Sequence, residues 1–474
     1  MRKYFSFSLL IVMIIMLSLG GVNLTQAQQK GDSVSPTNVN SVNAKMPWFS
    51  EYVHHVSYPN DVGAYASLAL RPVDDLPYIS YYDAANGDLM LAHYVKNGGG
   101  NCGTNNKWHC DVLDGVGGDN VGTYTSLDFW ADVDNNAWRI GISYHDATNR
   151  ALKFTSWTCY EAICTIHNTI TIASTTMPFN DGLYTSFKFA PDGTPYIAYY
   201  VSNVIGDDSL HLAHRVDSGG NCGEGSASGK WECELIDAGD GVGQYASMDL
   251  TYEGAVNIAY YDAGNGNLKF AWWDGFSACH NPNGWGCSII EGDGAPDTDV
   301  GLYASLIAQR SPLDTQFRIA YYDKTNGQLK YYQEGWEGET VAVDDMGTST
   351  SPMGISMDVD KDGAPIIAYQ KVQLTVFSRP TLNIARPYFV YDDGAFGNCG
   401  ETPPGYLFTY WRCRILDNAG QNLSEANYVS VAVRSSGLAE IAYSEFYDFD
   451  IGDHATSLKF ITQRFQAYLP LVTK

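Results

Sequence analysis

The chain has 474 residues, with 53 acidic and 28 basic side chains and a net charge of −25 at neutral pH. A field of that sign repels phosphate backbones and argues against nucleic acid as a partner; it disfavours polyanionic polysaccharides and leaves neutral glycans, cations and basic partners open. Thirty-three tyrosines and 47 glycines, only 17% charged residues and no long Ala/Glu/Lys/Leu pattern point to an all-β protein.

The first segment sets the expected compartment. Arg2 and Lys3 precede an apolar run from Phe5 to Leu19, and Thr25-Gln26-Ala27 offers small residues for cleavage. This is the pattern of a secretory signal peptide over residues 1–27, which implies a secreted, extracellular protein. Residues 28–45 are polar, rich in Ser and Asn, and without periodicity, as expected of a flexible linker. No later stretch approaches the ~20 apolar residues of a membrane-spanning helix, so the mature chain is expected to lack one.

From residue 46 a phrase recurs: Gly-x-Tyr-x-Ser, a turn, Ile-Ala-Tyr-Tyr, Asn-Gly, then Leu-x-x-Ala. Its aligned serines are Ser67, Ser126, Ser186, Ser247, Ser305, Ser356 and Ser430, separated by 59, 60, 61, 58, 51 and 74 residues. Seven copies of a unit near 60 residues predict a seven-bladed β-propeller over 46–466. Each blade has four antiparallel strands, lettered a to d outward from the axis: Tyr-x-Ser-Leu, Ile-Ala-Tyr-Tyr, Leu-x-x-Ala and Trp-x-Cys-x-x-Ile-Asp. Strand b is apolar on successive residues, as a strand buried on both faces must be. The pairs Asn86-Gly87, Asn265-Gly266 and Asn326-Gly327 supply the positive φ of the b–c hairpins. The seventh copy ends without a strand d, whereas Trp48 to Val56 precedes the first copy as strand d of the third copy precedes the fourth. The N-terminal strand is therefore expected to complete the last blade and close the ring.

Ten cysteines fall into five close pairs, each expected between strands c and d: Cys102/Cys110, Cys159/Cys164, Cys222/Cys233, Cys279/Cys287 and Cys399/Cys413. Connectivity does not follow from spacing alone, but the repeat favours neighbour bridges stapling each c–d hairpin. Residues 467–474 form a short apolar tail, expected to pack on the last blade.

Three sets of residues are candidate ligands. Tyr65, Tyr124, Tyr184, Tyr245, Tyr303 and Tyr428 open the innermost strands and could stack on sugars, or pack between blades. Asp83, Asp146, Asp262 and Asp323 end strand b and could bind sugar hydroxyls or calcium, or accept the amides of their own turns. Asp293, Asp297 and Asp299 lie on a glycine-containing loop whose alternate oxygens suit calcium, the one cofactor the sequence suggests, though the loop lacks the EF-hand spacing.

The repeat resembles those of secreted bacterial propellers with sialidase-like or BNR-like folds, from Met46 to about Phe465. The resemblance implies a binding face formed by the d–a loops and b–c turns. It does not extend to catalysis: the Ser-x-Asp-x-Gly-x-x-Trp boxes are absent, and no Gly-x-Ser-x-Gly elbow or His-Glu-x-x-His site occurs. Arg139 and Arg318 fall at equivalent places early in strand b, and His93, His211 and His214 lie on strand c, where packing roles are expected. The expected function is recognition of a carbohydrate or cell-surface ligand by a monomer. The alternatives are a glycoside hydrolase or polysaccharide lyase, and a structural or adhesive envelope protein.

Overall fold

Each residue of the Gly-x-Tyr-x-Ser phrase has its own mechanical task in the computed structural model, which describes residues 47–464 apart from 58, 161–162, 167–168, 176, 278, 281–283, 293, 295–296, 315, 336–339, 348–353, 373–379, 388–396, 403–409, 418–425 and 451–452. The glycine allows two blades to meet. At Gly63, Gly122, Gly182, Gly243 and Gly301 φ lies between 89° and 107°. A Cβ there would sit 2.7–3.0 Å from the Cα of the strand c leucine of the preceding blade. No larger residue satisfies both the angle and the approach.

The tyrosine marks a bulge. Strand a loses register with strand b on either side of it, as between Val62 and Ala64 and between Ala64 and Ser67, and the six tyrosines adopt φ of 48–56°. The sixth copy has Gly354 in that place, and its strand Ile355–Val359 pairs with Pro365–Val372 without a register shift.

The serine is a latch. The Oγ atoms of Ser67, Ser126, Ser186, Ser247, Ser305 and Ser356 accept the N–H of Leu127, Phe187, Met248, Leu306, Met357 and Val431, each on the next blade, at 2.9–3.0 Å. Ser430 accepts the N–H of Leu68 at 2.9 Å and closes the circuit.

The resulting architecture is the seven-bladed propeller with four antiparallel strands per blade. Blade 7 takes its outermost strand from Trp48–His54, paired with Asp453–Gln463, so the ring is closed by the N-terminal strand; that strand ends at His54 rather than Val56. Blade 2 departs from the pattern. Its strand d is Ile170–Ser174, without the Trp-x-Cys signature, and a short strand Ile163–Ile166 folds back on the end of strand c.

All five expected bridges form, and no cysteine is free: Cys102–Cys110, Cys159–Cys164, Cys222–Cys233, Cys279–Cys287 and Cys399–Cys413. Four of them fit the Trp-x-Cys strand d expected from the repeat, with the first cysteine in the c–d connection and the second inside the strand. Cys110, Cys233, Cys287 and Cys413 lie inside strand d, directly opposite Ala92, Ala213, Ala271 and Ala385 of strand c. The reason is that pairing with strand c already begins at the tryptophan two residues earlier, as at Trp108 and Trp231. Only the first cysteine, such as Cys102 or Cys222, belongs to the loop, and the bridge pins that loop back onto strand d. Cys159–Cys164 differs: it spans the blade 2 extension, where the two cysteines are cross-strand partners.

Three of the stapled loops also clasp the blade before them. Thr104 accepts the N–H of Tyr52, the amides of Gly223 and Glu224 reach Ile172 and Thr171, and the amide of Glu401 reaches Ala342. The side chains of Asn101, Asn221 and Asn398 bond both backbone groups of Cys110, Cys233 and Cys413 respectively.

Between blades, the core is built on one tyrosine of each strand b, namely Tyr81, Tyr144, Tyr199, Tyr260, Tyr321, Tyr369 and Tyr443, none more than 2% exposed. A polar bridge crosses five of the seven seams. The strand d residue paired with the strand c leucine is Asp114, Asp237, Glu291, Asp344 or Asp417. Each accepts the hydroxyl of the next blade's tyrosine: Tyr144, Tyr260, Tyr321, Tyr369 and Tyr443 respectively. Each also meets a lysine of that blade: Lys153, Lys269, Lys330, Lys371 or Lys459. At the remaining seams the acid position holds Ala173 and His54, and the lysine position of the next blade holds His211 and Met90.

Candidate functional site

The bulge that puts each tyrosine in the left-handed region also turns its ring toward the axis. Tyr428, Tyr65, Tyr124, Tyr184, Tyr245 and Tyr303 follow one another around the channel mouth, with ring centroids 4.5–4.7 Å apart and planes tilted by 43–54°. They line a cavity of about 230 Å³, with Gly354 and Ile355 filling the seventh sector. Six places in the ring are aromatic and one is open.

Burial pushes the Tyr65, Tyr184, Tyr245 and Tyr428 hydroxyls above their ordinary pKa, and the neighbouring phenols of the ring add to the shift. These four phenols are therefore neutral at physiological pH and can donate or accept hydrogen bonds. Phenols lining one cavity can offer a hydroxyl-rich group apolar contact and hydrogen bonds; they offer nothing to neutralise a strong charge.

The carboxylates at the end of strand b are placed otherwise. Asp83, Asp146, Asp262 and Asp323 are 1–5% exposed. Each accepts the backbone amide and side-chain Nδ2 of the asparagine three residues on: Asn86, Asn149, Asn265 and Asn326. Asp146, Asp262 and Asp323 also face the seam lysines at 3.7–3.9 Å. In this geometry they anchor the b–c turns, each within its own blade, and do not converge on the mouth.

Among the described residues of the acidic loop the aspartates have partners within the protein. Asp299 Oδ1 accepts the Tyr261 hydroxyl at 2.6 Å, and Oδ2 pairs with Lys324 at 2.6 Å. Asp297 takes part through its carbonyl, which accepts the Thr325 hydroxyl at 3.3 Å. Asp293 lies outside the described residues. Asp237, Cys279 and Cys287 also lie close together, but both sulfurs are spent in their bridge.

No protein-family model matches the chain, and no curated protein matches it. Among solved structures, the Hadza microbial sialidase Hz136 overlays with a TM-score of 0.45 at 11% identity, covering 87% of this chain and 68% of that one. The polysaccharide lyase Uly1 overlays at 0.44 and 9% identity, covering 87% and 92%. A mutant of Aleuria aurantia lectin in complex with alpha-methyl-L-fucoside overlays at 0.42 and 15% identity, covering 76% and 100%. At this level the likeness concerns the fold alone.

The histidines and arginines set aside in the sequence have packing partners. His93 and His214 stack on Tyr78 and Tyr196. Arg139 donates to the Gly193 carbonyl and covers Trp130, and Arg318 pairs with Asp314. The sequence reading passed over a second set, at the other end of the channel: Asp128, Lys188, Asp249, Arg310 and Asp358. Their signal was available in the repeat, since Asp stands two residues after the aligned serine in the second, fourth and sixth copies and Lys in the third.

Proposed function

We propose that this protein is an extracellular binding module for neutral carbohydrate, which takes the end of a glycan at the tyrosine-lined mouth of its channel. One observation carries the reading. Six bulky residues are held in left-handed backbone conformation around one open cavity, and such conformations cost ~1–3 kcal/mol each. Strain repeated at one mouth, each time at a tyrosine that lines the cavity, supports reading the ring as a device for presenting phenols to a ligand. The five bridges suit the oxidising compartment that the N-terminal pattern predicts, and we read the working form as a monomer released by cleavage after Ala27.

The test is a glycan array followed by titration of the best ligand, comparing the unmodified protein with Tyr184→Phe/Tyr245→Phe. Each lost neutral hydrogen bond costs about 0.5–1.5 kcal/mol, so the pair should weaken binding about fivefold to a hundredfold. The melting temperature should hardly move, because the rings remain. Unchanged affinity with a lower melting temperature would make the tyrosines architectural and overturn the proposal.

A further inference from the structure

Blade 2 breaks the repeat at one more place, the turn between its strands b and c. The first, fourth and fifth copies turn on Asn-Gly, and Gly87, Gly266 and Gly327 have φ of 64–78°. Blade 2 has Asn149-Arg150 in the same place, and Arg150 is held at φ 55°. A left-handed conformation costs free energy in any residue with a Cβ, and three sister turns avoid that cost with glycine. The turn itself does not call for an arginine. What the arginine adds is a guanidinium.

Arg150 lines a cavity of about 520 Å³ at the seam between blades 2 and 3, a size within the ~300–1,000 Å³ of small-molecule sites. Three elements build its walls. The b–c turn of blade 2 brings Arg150, whose carbonyl accepts the Asp181 N–H at 3.2 Å. The end of strand d brings Thr171 and Ser174, and the stapled loop of blade 3 brings Glu224, whose amide reaches the Thr171 carbonyl at 3.0 Å. Four charged side chains line this space, and two of them are already occupied. Lys153 meets Asp114 and, at 3.7 Å, Asp146, whose oxygens also take the amide and Nδ2 of Asn149. Arg150 and Glu224 remain. Among the described residues nothing bonds the Arg150 guanidinium, no cation pairs with Glu224, and no ion pair joins the two. The Ser174 hydroxyl holds Glu224 by Oε1, which leaves Oε2 for another donor.

We propose that this cavity binds a small zwitterion, a free α-amino acid with an apolar side chain. Its carboxylate meets the planar donor fork of Arg150, and its ammonium meets Glu224. Its side chain lies along Met177, which lines the cavity and is 64% exposed. Such a ligand pairs both remaining charges and adds no net charge to a protein that carries −25. A plain carboxylate would leave Glu224 unpaired, an amine would leave Arg150 unpaired, and a neutral sugar would pair neither. The tyrosine mouth takes no part in this site, so the inference stands apart from the function proposed above.

The experiment titrates L-leucine into the full chain by calorimetry, beside N-acetyl-L-leucine and L-leucinamide. Leucine should bind saturably. The acetyl derivative lacks the ammonium and the amide lacks the carboxylate, so each should bind about tenfold more weakly or worse. Arg150→Gly restores the turn of the sister blades; it should lose leucine binding and melt no lower than the unmodified protein. Glu224→Gln keeps an acceptor for Ser174 and should weaken binding about tenfold. Tyr184→Phe/Tyr245→Phe should leave leucine binding unchanged, which separates this site from the channel mouth. The proposal is overturned by absence of saturable leucine binding, by equal binding of either derivative, or by a loss of binding in the tyrosine variant. An Arg150→Gly protein that binds leucine as before, or that melts below the unmodified protein, overturns it as well.

Discussion

At the seam between blades 3 and 4, the Asp237 carboxylate receives the Tyr260 hydroxyl at 2.7 Å and the Lys269 ammonium. At the seam between blades 2 and 3, the same places hold Ala173 and His211, whose Nε2 bonds Ser209 at 3.0 Å and whose ring tilts against Tyr199. Acid and cation have disappeared together. The same is true where the ring closes: His54 meets the Tyr81 hydroxyl at 2.9 Å, and Met90 stands where a lysine would. Nowhere among the described seams does one partner persist alone. A buried ion pair adds little net stability, whereas a buried charge without its partner costs several kcal/mol. The seams are therefore constrained as pairs, and a neutral seam is as acceptable to the fold as a charged one.

The strongest way to break this comparison is to remove half of a charged seam. Asp237→Ala should destabilise the protein by about 3 kcal/mol, since it removes the nearer of the two carboxylates that face Lys269 and leaves the buried Tyr260 hydroxyl without its acceptor. Asp237→Ala/Lys269→Met should recover most of the loss, because it converts the seam to the neutral type. Denaturant unfolding of the two variants checks both statements. A double variant no more stable than the single one would show that the tyrosine–carboxylate bond, not the charge balance, holds the seam.

The neutral seam should carry its own pH signature. Burial pushes His211 down from 6.5 to about 4, so the folded state resists protonation there. Its contribution is complete above pH 6.5 and is lost as pH falls toward 4, on the order of 3 kcal/mol in all. His211→Leu should flatten that part of the stability profile. Glu440 works in the opposite sense. Burial raises its carboxyl from 4.5 to about 7, so its contribution is present below pH 4.5 and lost as pH rises through 7. Glu440→Gln should therefore stabilise the protein at pH 8 and leave it little changed at pH 4. Melting curves across pH 4–8 test both variants.

The bridges sharpen the same contrast between regular blades and blade 2. On loop entropy alone, losing Cys399–Cys413, at a sequence separation of 14, costs ~3 kcal/mol, and losing Cys159–Cys164, at a separation of 5, costs ~2 kcal/mol. The first also holds a clasp on the preceding blade, so paired Cys→Ser variants should differ by more than loop length predicts. Smallest of all, Ser247→Ala leaves the Leu306 amide without its acceptor and should cost about 1–3 kcal/mol, measured by thermal unfolding.

The fold was legible because its signals repeat. A glycine required by both φ and close approach, a serine latch and a leucine recur at fixed spacing, and the orphan strand at Trp48 is visible because blades 1, 3, 4 and 6 show what it should look like. Cysteine pairing was legible for the same reason, and so was the start of strand d at Trp108 and Trp231. What the register adds is that Cys110 and Cys233 stand directly opposite Ala92 and Ala213. Departures from the repeat were harder to read. Asp83 and its equivalents could be ligands or turn acceptors in sequence, and the hairpin geometry gives the turn reading its partners in Asn86, Asn149, Asn265 and Asn326. Asp299 is spent on Tyr261 and Lys324, which lie 38 and 25 residues away in sequence. The charged set at the far end of the channel drew no notice because its members are single substitutions in otherwise regular copies, and Arg310 lies beyond the strand that defines the register. What repeats encodes the architecture, and what interrupts the repetition marks the chemistry.

The serine latches have a topological consequence. Each bond runs from one blade to the next in the same rotational sense, and the bond between Ser430 and Leu68 is no different in length from the other six. Around the axis, then, the ring has no first or last member; only the covalent chain does. New ends could be opened in another d–a loop and the present ends joined by a linker, giving a circular permutant with the same seven latches. The start of such a chain would be a matter of where the gene is cut, not of how the blades hold one another.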